Sequence, residues 1–209
     1  IAIDEELVRL DAKQLQPLED MVNARSNLAV VLMSSGEVER AEPLFREVVE
    51  QRRSLLERLP ERADYHFDLG VSCHNLGRFL RENRGDLVGA LELELEGIEH
   101  ELAARAFNPA EPRYAWSLRG QFLSLCTTIL ESQDHALLAA QVQRWMELEP
   151  TAPDDAIQAA SFLSRSIPLA EVDPSLPETE RAETAERYAK HGLELIRLAI
   201  DQGFADFKL

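Results

Sequence analysis

The chain has 209 residues, of which 45% are hydrophobic, and its 38 acidic residues outnumber its 22 basic residues to give a net charge of −16. A chain of this length and apolar content can bury a core, which excludes a disordered acidic tail. The negative charge argues against nucleic acid as a partner, because the domain would repel phosphate.

Prolines divide the chain at near-regular intervals. Pro17, Pro60, Pro109 and Pro150 are separated by 43, 49 and 41 residues. Breaks at this spacing are typical of stacked repeats. Each interval contains two segments with helical spacing and a turn of small or polar residues between them. The sequence therefore predicts one domain of four helical hairpins, at about 18–59, 61–106, 112–149 and 153–203.

The first interval shows this pattern clearly. Apolar residues at 18, 21, 22, 28, 29 and 32 follow helical spacing, and the small residues of 34–36 end the first helix. A second helix is predicted from Ala41 to Leu55. Pro43 lies near its start, where a missing backbone amide is best tolerated.

The second interval has its turn at 83–86, followed by the alternating stretch LELELE at 91–96. Alternation is typical of a strand. However, the apolar residues at 87, 91, 95, 98 and 102 continue one helical face over four turns. Glutamate also forms helices well and strands poorly. A helix is predicted.

The third interval has its turn at 132–134, and its second helix is predicted to stop at Glu149-Pro150. A helix near 153–167, a proline-rich loop at 172–177 and a long helix from Glu178 to Gln202 complete the chain. Gly203 is the expected C-cap of that last helix. No segment keeps a strand pattern, so the predicted fold class is all-α.

The first two intervals repeat individual residues. Asn27-Leu28-Ala29 matches Asn75-Leu76-Gly77 at a shift of 48 residues, and a small residue, Ala41 or Ala90, opens each second helix. With Gly36 and Phe45, these positions resemble the tetratricopeptide repeat (TPR), and the longer period resembles the variant of kinesin light chains. The resemblance implies antiparallel hairpins stacked as a right-handed solenoid with degenerate last repeats.

Three stretches, at 65–77, 133–136 and 173–204, resemble the C-terminal repeat region of planctomycete-type bacterial serine/threonine protein kinases. This resemblance implies a bacterial source and a kinase domain preceding residue 1. The chain itself has neither a glycine-rich phosphate loop nor the kinase catalytic motifs. No histidine stands in a metal-binding pattern. We therefore predict no catalytic residue, cofactor or metal site.

Cellular context follows from what the sequence lacks. Cys73 and Cys126 are too few for a disulfide scaffold or a zinc site and are predicted to be buried apolar residues. No apolar run is long enough to cross a membrane. The acidic start, IAIDEELVRL, differs from a signal peptide and opens without Met, as in a fragment of a longer chain. A reducing, cytoplasmic location is expected.

The first helices of stacked hairpins line a concave face, which is the default binding surface of such solenoids. Placing the second hairpin on the repeat directs His74, Asn75, Arg78 and Arg81 toward the concavity. The resemblance implies that Asn75 and the matching Asn27 bond the backbone of a bound peptide. A basic strip on an acidic protein favours a protein or peptide partner with an acidic segment.

Alternatives remain open for these residues. Arg78, Arg81 and Arg84 could instead form solvated ion pairs with glutamates of the adjacent helix, at 92, 94, 96 and 99. The asparagines could be structural. The predicted function is therefore a protein-interaction module without catalysis. The alternative is a structural spacer or self-association domain with an empty groove.

Overall fold

The structure, a computed structural model, describes residues 2–148 and 153–204, with the side chains of 15–148 and 154–204. Within these ranges it contains eight helices and no strand, so the predicted all-α class is confirmed. The helices are α1 (Ala2–Ser34), α2 (Val38–Arg58), α3 (Ala63–Arg84), α4 (Leu87–Phe107), α5 (Pro112–Glu131), α6 (His135–Glu147), α7 (Pro153–Val172) and α8 (Glu178–Asp201).

Successive helices pack against each other along the whole array. Helices two apart also touch on one side, since α3 contacts α1 and α5, and α5 contacts α7. This is the packing of a TPR-like repeat solenoid, in which the first helices of the hairpins form a continuous face. None of the described helices is both long and apolar enough to cross a membrane.

Most helix ends lie at the predicted turns. Gly36 and Gly85 have positive φ values of 81° and 64°, which glycine adopts without steric cost. The carboxylates of Asp86 and Asp134 accept hydrogen bonds from the first turns of α4 and α6, at 2.9 Å from the amides of Gly89 and Leu137. The predicted helix stop at Glu149-Pro150 lies outside the described residues.

Two proline boundaries were predicted wrongly. The α1 helix begins at Ala2 and continues through Pro17, and α7 continues through Pro168 to Val172 instead of ending near 167. In both helices the buried face extends past the proline, with Val22 in α1 and Ala170 in α7. Tertiary packing of that face outweighs the one backbone hydrogen bond that each proline removes.

The buried side chains form two apolar clusters, one across α1–α3 and one across α5–α8 with Ile98 of α4. Phe45 of α2 contacts Phe79 of α3, with ring centroids 5.5 Å apart, and so fills space between the first two hairpins. Cys73 and Cys126 are free and buried, which confirms their prediction as apolar core residues.

The two clusters meet where α3 and α4 pack closely. A Cβ atom placed on Gly70 would lie 2.7 Å from Cγ of Glu101 and 2.8 Å from the carbonyl oxygen of Gly97. One placed on Gly77 would lie 3.1 Å from the carbonyl oxygen of Ala90. Small residues on both helices therefore bring the two backbones together.

A buried hydrogen-bonded chain attaches the last hairpin. His135 of α6 lies 2.9 Å from the carboxylate of Asp173 through Nε2 and 2.9 Å from the hydroxyl of Tyr188 through Nδ1. Hydrogen bonds from Ser175 and His135 lower the pKa of Asp173 to about 2, so this carboxylate accepts and Nε2 donates. The chain connects the start of α6 to α8 and to the loop that precedes it.

The close α3–α4 contact can be tested with two alanine substitutions. We expect Gly70→Ala to lower the free energy of unfolding by about 1–3 kcal/mol, because the new methyl group overpacks the contact. Gly120→Ala is the matched control, since Gly120 also lies inside a helix but has open space around it. There alanine should stabilise by roughly 0.5–1 kcal/mol. Equal effects in denaturant titrations would contradict the tight contact.

Candidate functional site

An open groove lies between α3 and α5, with a volume of about 440 Å³. We call it the α3–α5 groove. Its lining side chains come from the exposed sides of two first helices. They are Phe67, Val71 and His74 of α3, and Arg113, Trp116, Ser117, Arg119, Gly120 and Gln121 of α5. The groove thus lies on the face that the sequence predicts as the binding surface.

Aromatic and cationic side chains stand together at one end of this groove. The guanidinium of Arg113 lies 4.8 Å from the ring centre of Phe67 and 5.3 Å from that of Tyr114. Beside them, the large side chain of Trp116 is 76% exposed. Stacking holds Arg113 in place with its charge available to a ligand. The sequence interpretation did not identify Trp116 or Arg113; helical spacing of 113, 116 and 120 was the available signal.

His74 lines the groove, but it does not add a positive charge at neutral pH. Burial, together with the charges of Arg78 and Arg81, lowers its pKa to about 4. Its Nδ1 atom and the Nε atom of Arg78 are both buried without a hydrogen-bond partner among the described residues. The predicted basic strip is therefore two arginines with a neutral imidazole beside them.

Arg81 belongs to the packing between α3 and α5 more than to the surface. Its side chain is 10% exposed. The guanidinium lies 3.5 Å from the carbonyl oxygen of Ser124 and 3.5 Å from the hydroxyl of Thr128, both on α5, and 3.1 Å from Glu82. A substitution at Arg81 would therefore disturb the helix contact as well as the charge of the face.

The two predicted asparagines lie on different first helices. Asn27 is exposed on α1, and Asn75 is half-buried on α3, one residue after His74. Asn75 therefore lies close in sequence to the α3–α5 groove, whereas Asn27 belongs to the neighbouring hairpin. The structure brings His74, Asn75, Arg78 and Arg81 onto one stretch of α3.

Three of the four glutamates proposed as alternative partners of the basic strip have pairs or hydrogen bonds with other residues. Arg84 pairs with Glu39 and Glu42 of α2, at 2.9 Å and 2.7 Å. Glu96 pairs with Arg53, and Glu99 with Arg144. Glu94 accepts a hydrogen bond from Ser124. The alternative was right that Arg84 is engaged in ion pairs, but wrong about the helix that provides the carboxylates.

Two glutamates of α4 are buried beneath the groove. Glu94 and Glu101 are both 0% exposed and lie two turns apart. Each accepts a hydrogen bond from a serine of α5, at 2.6 Å from Ser124 and 2.5 Å from Ser117. The predicted apolar leucines of α4 at 91, 95 and 102 are only half-buried. The fully buried face contains Ile98 of the predicted apolar residues, together with small residues and these two acids.

Burial raises the pKa of Glu101 to about 8 and also raises that of Glu94, against the hydrogen bonds from the serines. Glu94 lies near the charge of Arg81, which favours its ionised form. Among the described residues, no cation contributes to the pKa of Glu101. With a pKa of about 8, the protonated form of Glu101 predominates at pH 7. The spacing of 90, 94, 97, 101 and 104, where small residues and glutamate share one helical face, was the only signal in the sequence.

Among the residues that the structure describes, no group of three or more His, Cys, Asp or Glu side chains is placed to hold a metal ion. The nearest approach to such a group is a histidine pair, His66 and His100, with Nδ1 atoms 3.0 Å apart. Nε2 of His66 faces the carbonyl oxygen of Pro60 at 2.9 Å, so the pair joins helix ends through hydrogen bonds.

Comparison with known protein families supports the repeat assignment of the first hairpin. Residues 22–61, which include the second half of α1 and all of α2, match the model of the tetratricopeptide repeat family. No curated protein matches the chain. The resemblance derived from Asn27-Leu28-Ala29, Ala41 and Phe45 is therefore supported for this hairpin.

The raised pKa of Glu101 gives a stability prediction. Its folded-state pKa of about 8 lies above the unfolded value of 4.5, so the folded protein binds more protons between these two pH values. Glu101 therefore stabilises the fold least at high pH. The unfolding free energy of Glu101→Gln relative to that of wild type should therefore rise by on the order of 3 kcal/mol between pH 5 and pH 8.

Denaturant titrations of the two proteins across this range measure that difference. Comparing them removes the opposite effect of His74, whose lowered pKa reduces stability on acidification in both proteins alike. A difference in unfolding free energy that stays constant from pH 5 to pH 8 would contradict a neutral Glu101.

Proposed function

We propose that this chain is a protein-interaction module that holds a partner on its concave face and performs no catalysis. The observation that carries the proposal is the α3–α5 groove, where an exposed Trp116 stands beside Arg113 in a chain of net charge −16. Exposed tryptophan and arginine are the residues most often found at the energetic centre of protein interfaces. The TPR-like first hairpin supports a scaffold of this class.

The expected partner is a protein or peptide segment with acidic residues. The groove is lined by Arg113 and Arg119 and by no carboxylate, although Arg119 also pairs with the buried Asp155 of α7. An acidic segment would gain charge-assisted hydrogen bonds from Arg113 and Arg78. Arginine forks bind carboxylates in this way, and they would select against basic segments.

Each residue predicted from the sequence has a proposed part in this interaction. Asn75 and Asn27 would bond the backbone of the bound segment on successive first helices, and Arg78 would contact its acidic side chains. His74 would contribute its neutral imidazole ring to the wall of the groove. Arg81 would act as a positioning residue, because it holds α3 against α5.

The setting of the module is also part of the proposal. We propose that residues 1–209 form one domain of four hairpins, that it is attached to a bacterial serine/threonine protein kinase, and that it works in the cytoplasm. The fold class is typically non-catalytic, and the described residues offer no assembled metal group. The partner could then be a substrate or regulator that the scaffold brings to the kinase.

Self-association is a second candidate, favoured by one specific surface. Met21, Leu28 and Val31 are exposed on one side of α1, at spacings of 7 and 3 residues. Leu28 is 47% exposed, whereas Leu76, its counterpart in the second hairpin, is 3% exposed beneath neighbouring helices. A second copy could cover this stripe.

A charge reversal on α3, one helical turn after His74 of the groove, tests the interaction proposal. We expect Arg78→Glu to reduce capture of a partner from a lysate of the source cell at least tenfold relative to wild type. A repulsive contact in place of an attractive one costs more than the 1.4 kcal/mol that a tenfold change represents. Arg78 is preferred to Arg81, since Arg81 also supports the helix contact.

Arg40→Glu is the matched control, because Arg40 is exposed on α2 and the variant has the same net charge. Circular dichroism should show that both variants remain folded. Equal capture of the same partner by wild type and both variants would contradict binding at this strip. If no partner is captured and the chain sediments as a concentration-dependent dimer, self-association replaces the proposal.

A further inference from the structure

The α3–α5 groove and the buried Glu101 share two side chains. Ser117 and Gln121 line the groove from α5, and the hydroxyl of Ser117 donates to Glu101 at 2.5 Å. Glu101 therefore lies directly behind the wall of the groove. Its second oxygen, Oε2, is buried without a hydrogen-bond partner among the described residues.

The opposite side of Glu101 is closed by backbone. Gly70 of α3 lies so close that an added methyl carbon would stand 2.7 Å from Cγ of Glu101. The neighbouring Gly97 is equally confined, with the carbonyl oxygen of Gly70 at 2.9 Å from its hypothetical Cβ. The α3 side of Glu101 is therefore tightly packed, and on the α5 side Ser117 stands between the carboxyl group and the groove.

The charged and titratable groups on the surrounding helices do not compensate Glu101. They include His66, Asp68, Cys73 and His74 of α3, Glu94, His100 and Arg105 of α4, and Arg113, Tyr114 and Arg119 of α5. None of them influences the pKa of Glu101, which burial raises and the side chains of Ser117 and Gln121 lower. Arg105 donates instead to the carbonyl oxygen of Leu148, and Arg119 pairs with Asp155.

We propose that the protonation state of Glu101 regulates the α3–α5 groove, with the neutral acid holding α5 against α4 and the carboxylate loosening that contact. This deepens the proposed function and rests on it, because it concerns the regulation of the same groove. The neutral acid carries no charge that must be hydrated in this buried site. A carboxylate without a cation needs water, and water entering from the groove would displace Ser117 and Gln121.

The consequence for a partner is a binding surface that depends on pH. Below the pH at which Glu101 ionises, α5 keeps Trp116 and Arg113 at the distance from Phe67 that defines the groove. Above it, the helix turn containing Ser117 is released from α4, and Trp116, one residue earlier on the same turn, moves with it. The groove would then bind its partner less tightly at alkaline pH than at neutral or mildly acidic pH.

Trp116 itself provides the measurement. Tryptophan emission and its quenching by acrylamide are recorded from pH 6 to pH 9 on the whole chain. Trp145 is buried against Phe122, so quenching reports on Trp116, and Trp116→Phe verifies that assignment. The thiols of Cys73 and Cys126 do not interfere, because burial raises the pKa of each to about 12.

We expect wild type to show a sigmoidal change in quenching with a midpoint near pH 8. Glu101→Gln, which keeps the shape but cannot ionise, should abolish the change. Glu92→Gln is the matched control on the exposed side of the same helix and should keep it. Glu94→Gln should also keep it, because Glu94 bonds Ser124 two turns away.

A flat wild-type profile would overturn the proposal, and so would a transition that survives in Glu101→Gln. A fall in unfolding free energy with pH and no change at Trp116 would also overturn it, since Glu101 would then affect only stability. Each of these three results leaves the proposed function standing if Arg78→Glu still reduces partner capture at least tenfold at pH 7. If Arg78→Glu captures as much partner as wild type while the titration at Trp116 is unchanged, the proposed function is contradicted. The proposed effect of Glu101 ionisation on the groove would still stand.

Discussion

The close contact between α3 and α4 is the interaction on which the rest of the structure depends. Glycines 70 and 97 allow the two backbones to touch, and this contact joins the apolar cluster of the first hairpin to that of the last ones. Because the two helices lie so near, no space is left between them for water. Side chains of α4 that face this seam are therefore dehydrated, whatever their chemistry.

That constraint dehydrates two acids of α4, beside a predicted apolar face of which Ile98 is fully buried and the leucines are half-buried. Glu94 and Glu101 each accept one hydrogen bond from a serine of α5, while the Oε2 atom of each has no hydrogen-bond partner among the described residues. One of these serines, Ser117, belongs to the wall of the α3–α5 groove. The close contact between α3 and α4 thus affects the protonation of Glu101, the position of α5 and the shape of the groove. A scaffold built this way connects its binding surface to its core through a few polar bonds.

The local elements of the fold were accessible to prediction because short-range rules govern them. Helical periodicity outweighed alternation in 91–96, and α4 confirmed that choice. Glycine turns at 36 and 85 and aspartate caps at 86 and 134 marked the helix starts and ends. Prolines were less reliable, since Pro17 and Pro168 lie inside helices whose buried faces continue past them. The candidate site was found only in outline: His74 lines the groove and Arg78 follows one helical turn later, but Trp116 was missed.

The sequence by itself determined the all-α class, the hairpin plan and the acidic character of this protein, because these follow from periodicity, turn residues and composition. Only the tertiary structure decided which charges are free. Arg84 reaches back to α2, Arg81 is packed against α5, and His74 is neutral because of its burial. The physical reason is that ionisation and pairing depend on distance and desolvation across helices far apart in the chain. The pattern along one helix shows which side chains lie on the same face. It does not show which groups of other helices pack against that face.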